Sequence, residues 1–168
     1  MGGVVEGIYL VEIAGEPLRA VNQAQAKAGR GIEGDRYEKG VGFYSANPTT
    51  SGARELTLIA SEAIEAVQKE IGELIDHGAF RRNLVTKGID PRSLLGKRFT
   101  IGQVVCEGVR DCPPCVHLDE LTGKRLMPWL LKTGGMRVRI VEGGTIQVGD
   151  AIEVTGDSTG ETQWEAYS

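Results

Sequence analysis

The chain has 168 residues, and its 19 Lys and Arg against 23 Asp and Glu leave a formal charge of −4. That balance argues against a nucleic-acid or anionic-membrane partner, since both need a broad basic footprint, and no apolar run approaches the roughly 18 residues of a membrane span. Three cysteines and no signal-like leader lead us to expect a cytoplasmic, reducing setting rather than a disulfide framework.

In chain order, Val4 to Ile13 is rich in β-branched residues and ends at Gly15-Glu16-Pro17, so it reads as a first strand. The alanine-rich run Val21 to Ala28 predicts a short helix or an irregular connection. Gly34 and Asp35 predict a turn whose carboxylate bonds local backbone, and Gly40 to Gly52 reads as a long polar loop. Leu56 to Ala60 is a short apolar strand. Ser61 then reads as an N-cap, with Glu62 and Glu65 in the first turn of a helix. Its apolar face is Ala63, Ile64, Val67 and Ile71, and Gly72 marks the stop.

From Ala79 onward the pattern is β. Phe80 to Thr86, Arg98 to Ile101 and Gln103 to Glu107 are short runs separated by Gly88, Gly96 and Gly102. Arg81 and Arg82 are adjacent, so on a strand they point to opposite faces and one of them meets solvent. Val116 to Leu121 and Arg125 to Leu131 predict one or two helical turns. Met136 to Glu142, Thr145 to Val148 and Ala151 to Thr155 alternate with glycine turns in a plain β series. There are 24 glycines, about twice the usual share of roughly 7%, and many punctuate these runs. The fold class that follows is mostly β (α+β): a barrel-like antiparallel β domain with a few helices. We expect a single domain over 1–155 and a polar C-terminal tail over 156–168.

One segment interrupts the β series. Arg110-Asp111-Cys112-Pro113-Pro114-Cys115-Val116-His117-Leu118 holds two of the three cysteines and one of the two histidines. Consecutive prolines cannot continue a helix or donate to a central ladder, so Cys112 to Cys115 must be a stiff loop. A thiol held on such a loop suits a nucleophile or a metal ligand, and Arg110 nearby favours the thiolate. Cys106, Cys112, Cys115 and His117 also offer the donor types of a Cys₃His zinc site. Cys106, however, sits in a strand run and no second Cys-x-x-Cys pair completes the pattern. Reversible Cys112–Cys115 pairing is chemically plausible, although the flanks lack the βαβ setting of a thioredoxin-like motif.

Six motifs then fall in a family order. They are Gly31-Ile32-Glu33-Gly34-Asp35-Arg36-Tyr37, Arg54-Glu55-Leu56-Thr57-Leu58-Ile59, Phe80-Arg81-Arg82-Asn83-Leu84, Leu95-Gly96 with Ile101-Gly102, the Cys-Pro-Pro-Cys loop, and Gly134-Gly135-Met136-Arg137-Val138 with Gly143-Gly144 and Gly149-Asp150. Together they resemble the MOSC domain, the C-terminal domain of molybdenum cofactor sulfurases, which also occurs as stand-alone bacterial proteins. The resemblance implies a barrel-like β fold and a loop cysteine that carries sulfur or ligates the molybdenum of a pterin cofactor. Pro114-Cys115-Val116-His117-Leu118 fits the family step, so that role transfers to Cys115, while Cys112 is an extra cysteine. Arg81 and Asn83 inherit a role in holding the cofactor's phosphate or pterin, and Arg36 is a further candidate ligand.

Two functions follow from the resemblance. The first is a stand-alone protein that binds a molybdopterin-type molybdenum cofactor and reduces N-hydroxylated compounds or transfers sulfur, with an electron-transfer protein as partner. The second is a persulfide sulfur-carrier or adaptor, loaded at Cys115 by a separate cysteine desulfurase and without bound metal. Pyridoxal phosphate is not expected in this chain, because sulfurases carry it on a large preceding domain for which 168 residues leave no room.

Overall fold

Alternation of apolar and polar residues decides which way each strand faces, and the pairing of those strands closes a barrel. The structure, a computed structural model, describes residues 2–11, 18–35, 55–75, 77–111 and 135–158. The strands are β1 (Gly3–Leu10), β2 (Arg19–Val21), β3 (Gln23–Lys27), β4 (Gly31–Ile32), β5 (Leu56–Ala60), β6 (Leu84–Lys87), β7 (Lys97–Ile101), β8 (Val104–Asp111), β9 (Met136–Glu142), β10 (Gly144–Gln147) and β11 (Ala151–Asp157). Seven of them run in the order β11-β7-β8-β9-β5-β6-β1, and β1 pairs back onto β11 through Gly3↔Ile152 and Val4↔Ala151. Closure removes the free edges that an open sheet would expose. The strand β2 hangs on the far end of β1, and β10, β3 and β4 form a separate small sheet.

Leu56 and Leu58 of β5, Phe99 and Ile101 of β7, Val104 and Cys106 of β8, and Val138 of β9 are fully buried in one apolar cluster. It fills the barrel. A short 3-10 turn, Pro91–Leu94, packs against β5, β7, β8 and β9 and adds Leu94 to that core. Cys106 is thus a core side chain. Burial, and then the charge of Glu55, push its thiol far above the ordinary range, so it stays protonated and inert. That removes it from the zinc set considered above; Cys112, Cys115 and His117 lie outside the described residues.

The pair β5–β6 is parallel, so it needs a crossover, and α1 (Ser61–Ile71) supplies it. Ile64 and Val67 of α1 pack with Ile59, Ile75, Phe80 and Val85 on the outside of the barrel. Gly72 ends the helix in the left-handed region with φ 73°, as the sequence led us to expect. No helix among the described residues is long and apolar enough to cross a membrane.

Several local expectations need correction. Ala60, not Ser61, is the N-cap, and Ser61 is the first helical residue, its hydroxyl 3.4 Å from Glu62. Within Val21 to Ala28, Gln23–Lys27 is a strand rather than a helix or an irregular connection, and Ala24 and Ala26 alternate inward against exposed Gln23 and Gln25. Alanine suits a helix, but here its small size lets β3 pack closely against the core. Phe80 to Thr86 is not one strand: a 3-10 turn, His77–Phe80, precedes β6. Arg81 and Arg82 lie off the ladder, and both are buried rather than one being exposed. Asp35 does close a turn, its N–H donating to Ile32 O at 3.0 Å, but its carboxylate accepts the distant Val11 N–H at 3.1 Å. The strand β11 continues two residues past 155, and Lys97 pairs with Asp157 at 2.8 Å.

The ladder between β8 and β9 carries one irregularity that matters below. Gly108 pairs with Val138, yet Arg110 pairs with Arg137, so β8 spends one more residue than its partner. This bulge is locked from behind. Leu95 bridges to Gly108, Gly96 N–H donates to Gly108 O at 3.1 Å, and a Cβ on Gly108 would sit 2.1 Å from Leu94 O. On the outer face the rung below is electrically balanced. Glu107, fully buried, accepts Arg98 at 3.2 Å and also accepts Arg139, while Glu55 accepts Ile140 N–H at 2.9 Å.

Gly108→Ala is expected to destabilise the protein by about 1–3 kcal/mol, the usual cost of forcing extra volume into a packed site. Gly156→Ala, where nothing lies within 4 Å of an added Cβ, should move stability by under about 0.5 kcal/mol. Urea unfolding of the two variants side by side checks the contrast.

Glu55 gives a pH prediction. Its burial raises the carboxyl above the ordinary glutamate range, only partly offset by the Ile140 and Gly29 N–H groups and by Arg139. The folded chain therefore holds this proton more tightly than the unfolded chain does. Ionisation subtracts stability, and the loss sets in as pH rises through the window between the two values. Glu55→Gln, which keeps an oxygen for Ile140 N–H, should stabilise at about pH 7 and give little gain at about pH 4. A larger gain at the acid end in unfolding curves would contradict this.

Candidate functional site

The extra residue in β8 decides what faces what. Without it, Val109 would stand opposite Arg137; with it, Arg110 does. Directly opposed residues of neighbouring strands project to the same face, so two guanidinium groups share one rung. Arg137 is also opposite Thr57 of β5, and Thr57 lies beside Asn83 at the start of β6. One transverse row thus runs Arg110, Arg137, Thr57, Asn83 across four chain segments. Leu56 and Leu58 face the barrel core, so Thr57 and its row lie on the outer face, next to the cover provided by α1.

Asn83 is the clip of this row. Its Oδ1 accepts Thr57 N–H at 3.2 Å and the Thr57 hydroxyl at 3.2 Å, while Thr57 Oγ1 accepts Asn83 N–H at 2.9 Å. Its Nδ2 donates to Tyr9 O at 3.2 Å, and its own carbonyl accepts Tyr9 N–H at 2.7 Å. Three segments are fixed by one side chain.

Arg81, two residues earlier, has φ 61°, which makes it the sole non-glycine residue with positive φ among those described. That region costs an L-residue about 1–2 kcal/mol. Arg81 N–H donates to Gly78 O at 3.1 Å, and Arg82 Nη1 donates to Phe80 O at 3.3 Å. Arg81, Arg82 and Arg137 are only 9%, 9% and 8% exposed, and Arg81 Nη2, Arg110 Nε and Arg137 Nε are shut away from solvent. Arginine is rarely this deeply buried unless it serves a pairing role. Strain that places such a side chain is characteristic of binding sites.

The cysteine-bearing segment joins this row directly. Asp111 pairs with Met136, one rung beyond Arg110 and Arg137, so the described strands on either side of residues 112–134 end beside this row. Gly135 has φ 117°, and a Cβ there would lie 1.9 Å from Leu58 O. Cys112 is two residues and Cys115 five residues past Arg110. Cys112, Cys115, His117 and Arg36 lie outside the described residues. Of the candidates read from sequence, Arg81 and Asn83 are brought to the same place. Thr57 and the opposition of Arg110 with Arg137 were missed. Glycine inside a strand run at Gly108 was the available signal, since it often marks a bulge.

Chemically, the row combines a buried Arg137 and a half-buried Arg110 with the polar pair Thr57 and Asn83. Along β5, Thr57 stands in this row and Glu55 two residues away in the rung below. A row built this way suits an anionic group, for which guanidinium is the favoured bidentate donor. Among the described residues no group of His, Cys, Asp and Glu is arranged to hold a metal ion.

Comparison with known proteins agrees with this architecture. No curated protein matches the chain. Among solved structures, it is similar to the YuaD protein from Bacillus subtilis, with 18% identity and a TM-score of 0.74, covering 94% of this chain and 98% of that one. It is also similar to YiiM from Escherichia coli, with 19% identity and a TM-score of 0.66, covering 96% of this chain and 73% of that one. YiiM from Geobacillus stearothermophilus follows at 14% identity and a TM-score of 0.66, over 95% and 78%. At these identities the likeness is one of fold. The family model of the MOSC domain matches residues 34–153, a span that takes in the arginine row, the clip at Asn83 and both ends of the cysteine loop. The chain belongs to the MOSC domain family.

Proposed function

We propose that this chain binds a molybdenum–pterin cofactor at the arginine row, with the Cys115 thiolate as sulfur ligand to the metal. The observation that carries the reading is the opposition of Arg110 and Arg137 on one rung. Directly opposed residues project to one face, so two guanidinium groups, each able to donate to an anion bidentately, stand side by side there. The phosphate of a pterin cofactor is such an anion. A soft thiolate is a fitting ligand for molybdenum, and Cys115 is tethered five residues from Arg110.

In this reading Arg110, Arg137 and Arg81 hold the anionic part of the cofactor, with Arg36 as a further contact. Asn83 and Thr57 position the row, because their side chains are engaged with each other and with Tyr9. The guanidinium groups also favour the thiolate form of Cys115, since a nearby positive charge lowers a thiol's pKa. When bound, the cofactor supplies two-electron redox chemistry at molybdenum. The electron-transfer protein, or the desulfurase that would load a persulfide instead, remains an expected partner of the same cysteine.

Purification from a host that makes the cofactor, followed by molybdenum and pterin analysis, tests the reading. Wild type should carry both, and Cys115→Ala should lose the metal because a methyl group cannot ligate it. Arg81→Gly should keep stability within about 1 kcal/mol, as relief of left-handed strain offsets lost packing. The same change should weaken cofactor retention by about 1.5–3 kcal/mol, the worth of a charge-assisted hydrogen bond. Wild type that never holds molybdenum or pterin, yet accepts a persulfide at Cys115, would favour the sulfur carrier.

A further inference from the structure

A second bulge stands on the other side of β7 from the first. The strand β11 keeps register with β7 as far as Val154, opposite Phe99, but the next pair is Gly156 with Arg98. Thr155 is therefore the extra residue, and its hydroxyl donates to Arg98 O at 3.2 Å. The shift carries the end of β11 onto the turn that backs β8. Asp157 pairs with Lys97, and Ser158 N–H donates to Gly96 O at 2.8 Å. Gly96 in turn donates its own N–H to Gly108 O at 3.1 Å. One residue thus holds both bulged strands, β11 through its carbonyl and β8 through its N–H. Its backbone makes this possible. Gly96 has φ 72°, and an added Cβ would meet nothing within 4 Å. Conformation, not want of space, calls for glycine here.

We infer that Gly96 is a positioning residue for the Arg110–Arg137 rung, and that the end of β11 sets the rung's register through it. The bulge in β8 starts at Gly108, and its two arrangements are discrete. With the extra residue Arg110 stands opposite Arg137; without it Val109 would, because a strand's side chains alternate with a period of two. The bond from Gly96 draws the Gly108 carbonyl toward β7, away from β9, and so fixes the peptide at which the bulge begins. Leu94, fully buried in the core, pins the other end of the turn. A shift of Gly96 is therefore passed to Gly108 rather than absorbed by the turn. Placement of the cofactor by this device rests on the cofactor reading above; the coupling between β11 and the rung does not.

The test compares two pairs of variants of the full chain. Gly96→Val excludes the left-handed region, which a β-branched residue scarcely enters, whereas Gly96→Asn tolerates it. Ser158→Pro removes the N–H that Gly96 O accepts and suits the extended Asp157 before it, whereas Ser158→Ala keeps that N–H. The first member of each pair should shift the backbone and Nε–H resonances of Arg110 and Arg137, and the second should leave them at their wild-type positions. In a cofactor-producing host, the molybdenum content of Gly96→Val should fall by about threefold or more, a usual size for coupling through packed contacts, and Gly96→Asn should restore it. Lower stability in Gly96→Val and Ser158→Pro with both arginines unmoved would overturn the inference, as would Gly96→Asn behaving like Gly96→Val. Shifted and rescued resonances in a chain that never holds molybdenum would keep the coupling and remove the cofactor reading alone. Wild-type molybdenum content in Gly96→Val with unmoved resonances would remove the coupling and leave that reading standing.

Discussion

Between Gly108 and Arg110 the strand β8 takes two steps while β9 takes one. Because side chains alternate with a period of two, a single extra residue exchanges which side chain faces the neighbouring strand. Here it exchanges Val109 for Arg110 opposite Arg137. Val109 is itself buried, so the barrel keeps its apolar packing while the outer face gains a second guanidinium. The contacts that lock the bulge come from the turn before β7, through Leu94, Leu95 and Gly96. Packing of the barrel end is thereby coupled to the geometry of the candidate site.

The outer face then divides by charge. On the lower rung Arg98, Glu107 and Arg139 pair across three strands, with Glu55 beside them. Burying such pairs is stabilising only when the partners are well matched, and Glu107 meets that condition by serving two arginines. On the upper rung the neutral pair Thr57 and Asn83 stands in the corresponding place. The same scaffold thus carries one rung built around Glu107 and a second in which two guanidinium groups stand opposite each other. Strain at Arg81 adds to this, since a left-handed arginine is costly unless its side chain has work at that spot.

Much of the fold was legible. Short β-branched runs between glycines marked β5, β7, β9 and β11 within a residue or two, and Ser61 to Ile71 carried the spacing and the glycine stop of a helix. The β3 strand was not, because Ala24 and Ala26 fit a helix by propensity, and it is pairing with β10 on one side and β4 on the other that makes them strand residues. The break before β6 was hidden for a different reason. An arginine at positive φ is uncommon in any chain, so Phe80 to Thr86 read as unbroken. At the candidate site, motif order singled out Arg81 and Asn83. The partnership of Arg110 with Arg137, 27 residues apart in sequence, depends on a one-residue register shift between strands, of which Gly108 is the one local sign.

The most direct measurement of the central claim is the molybdenum and pterin content of the double variant Arg110→Gln/Arg137→Gln, purified from a cofactor-producing host beside wild type. Glutamine keeps length and polarity but removes both charges from the rung. The account predicts a folded barrel that holds neither molybdenum nor pterin while wild type holds both. Cofactor at the wild-type ratio in the double variant would contradict it.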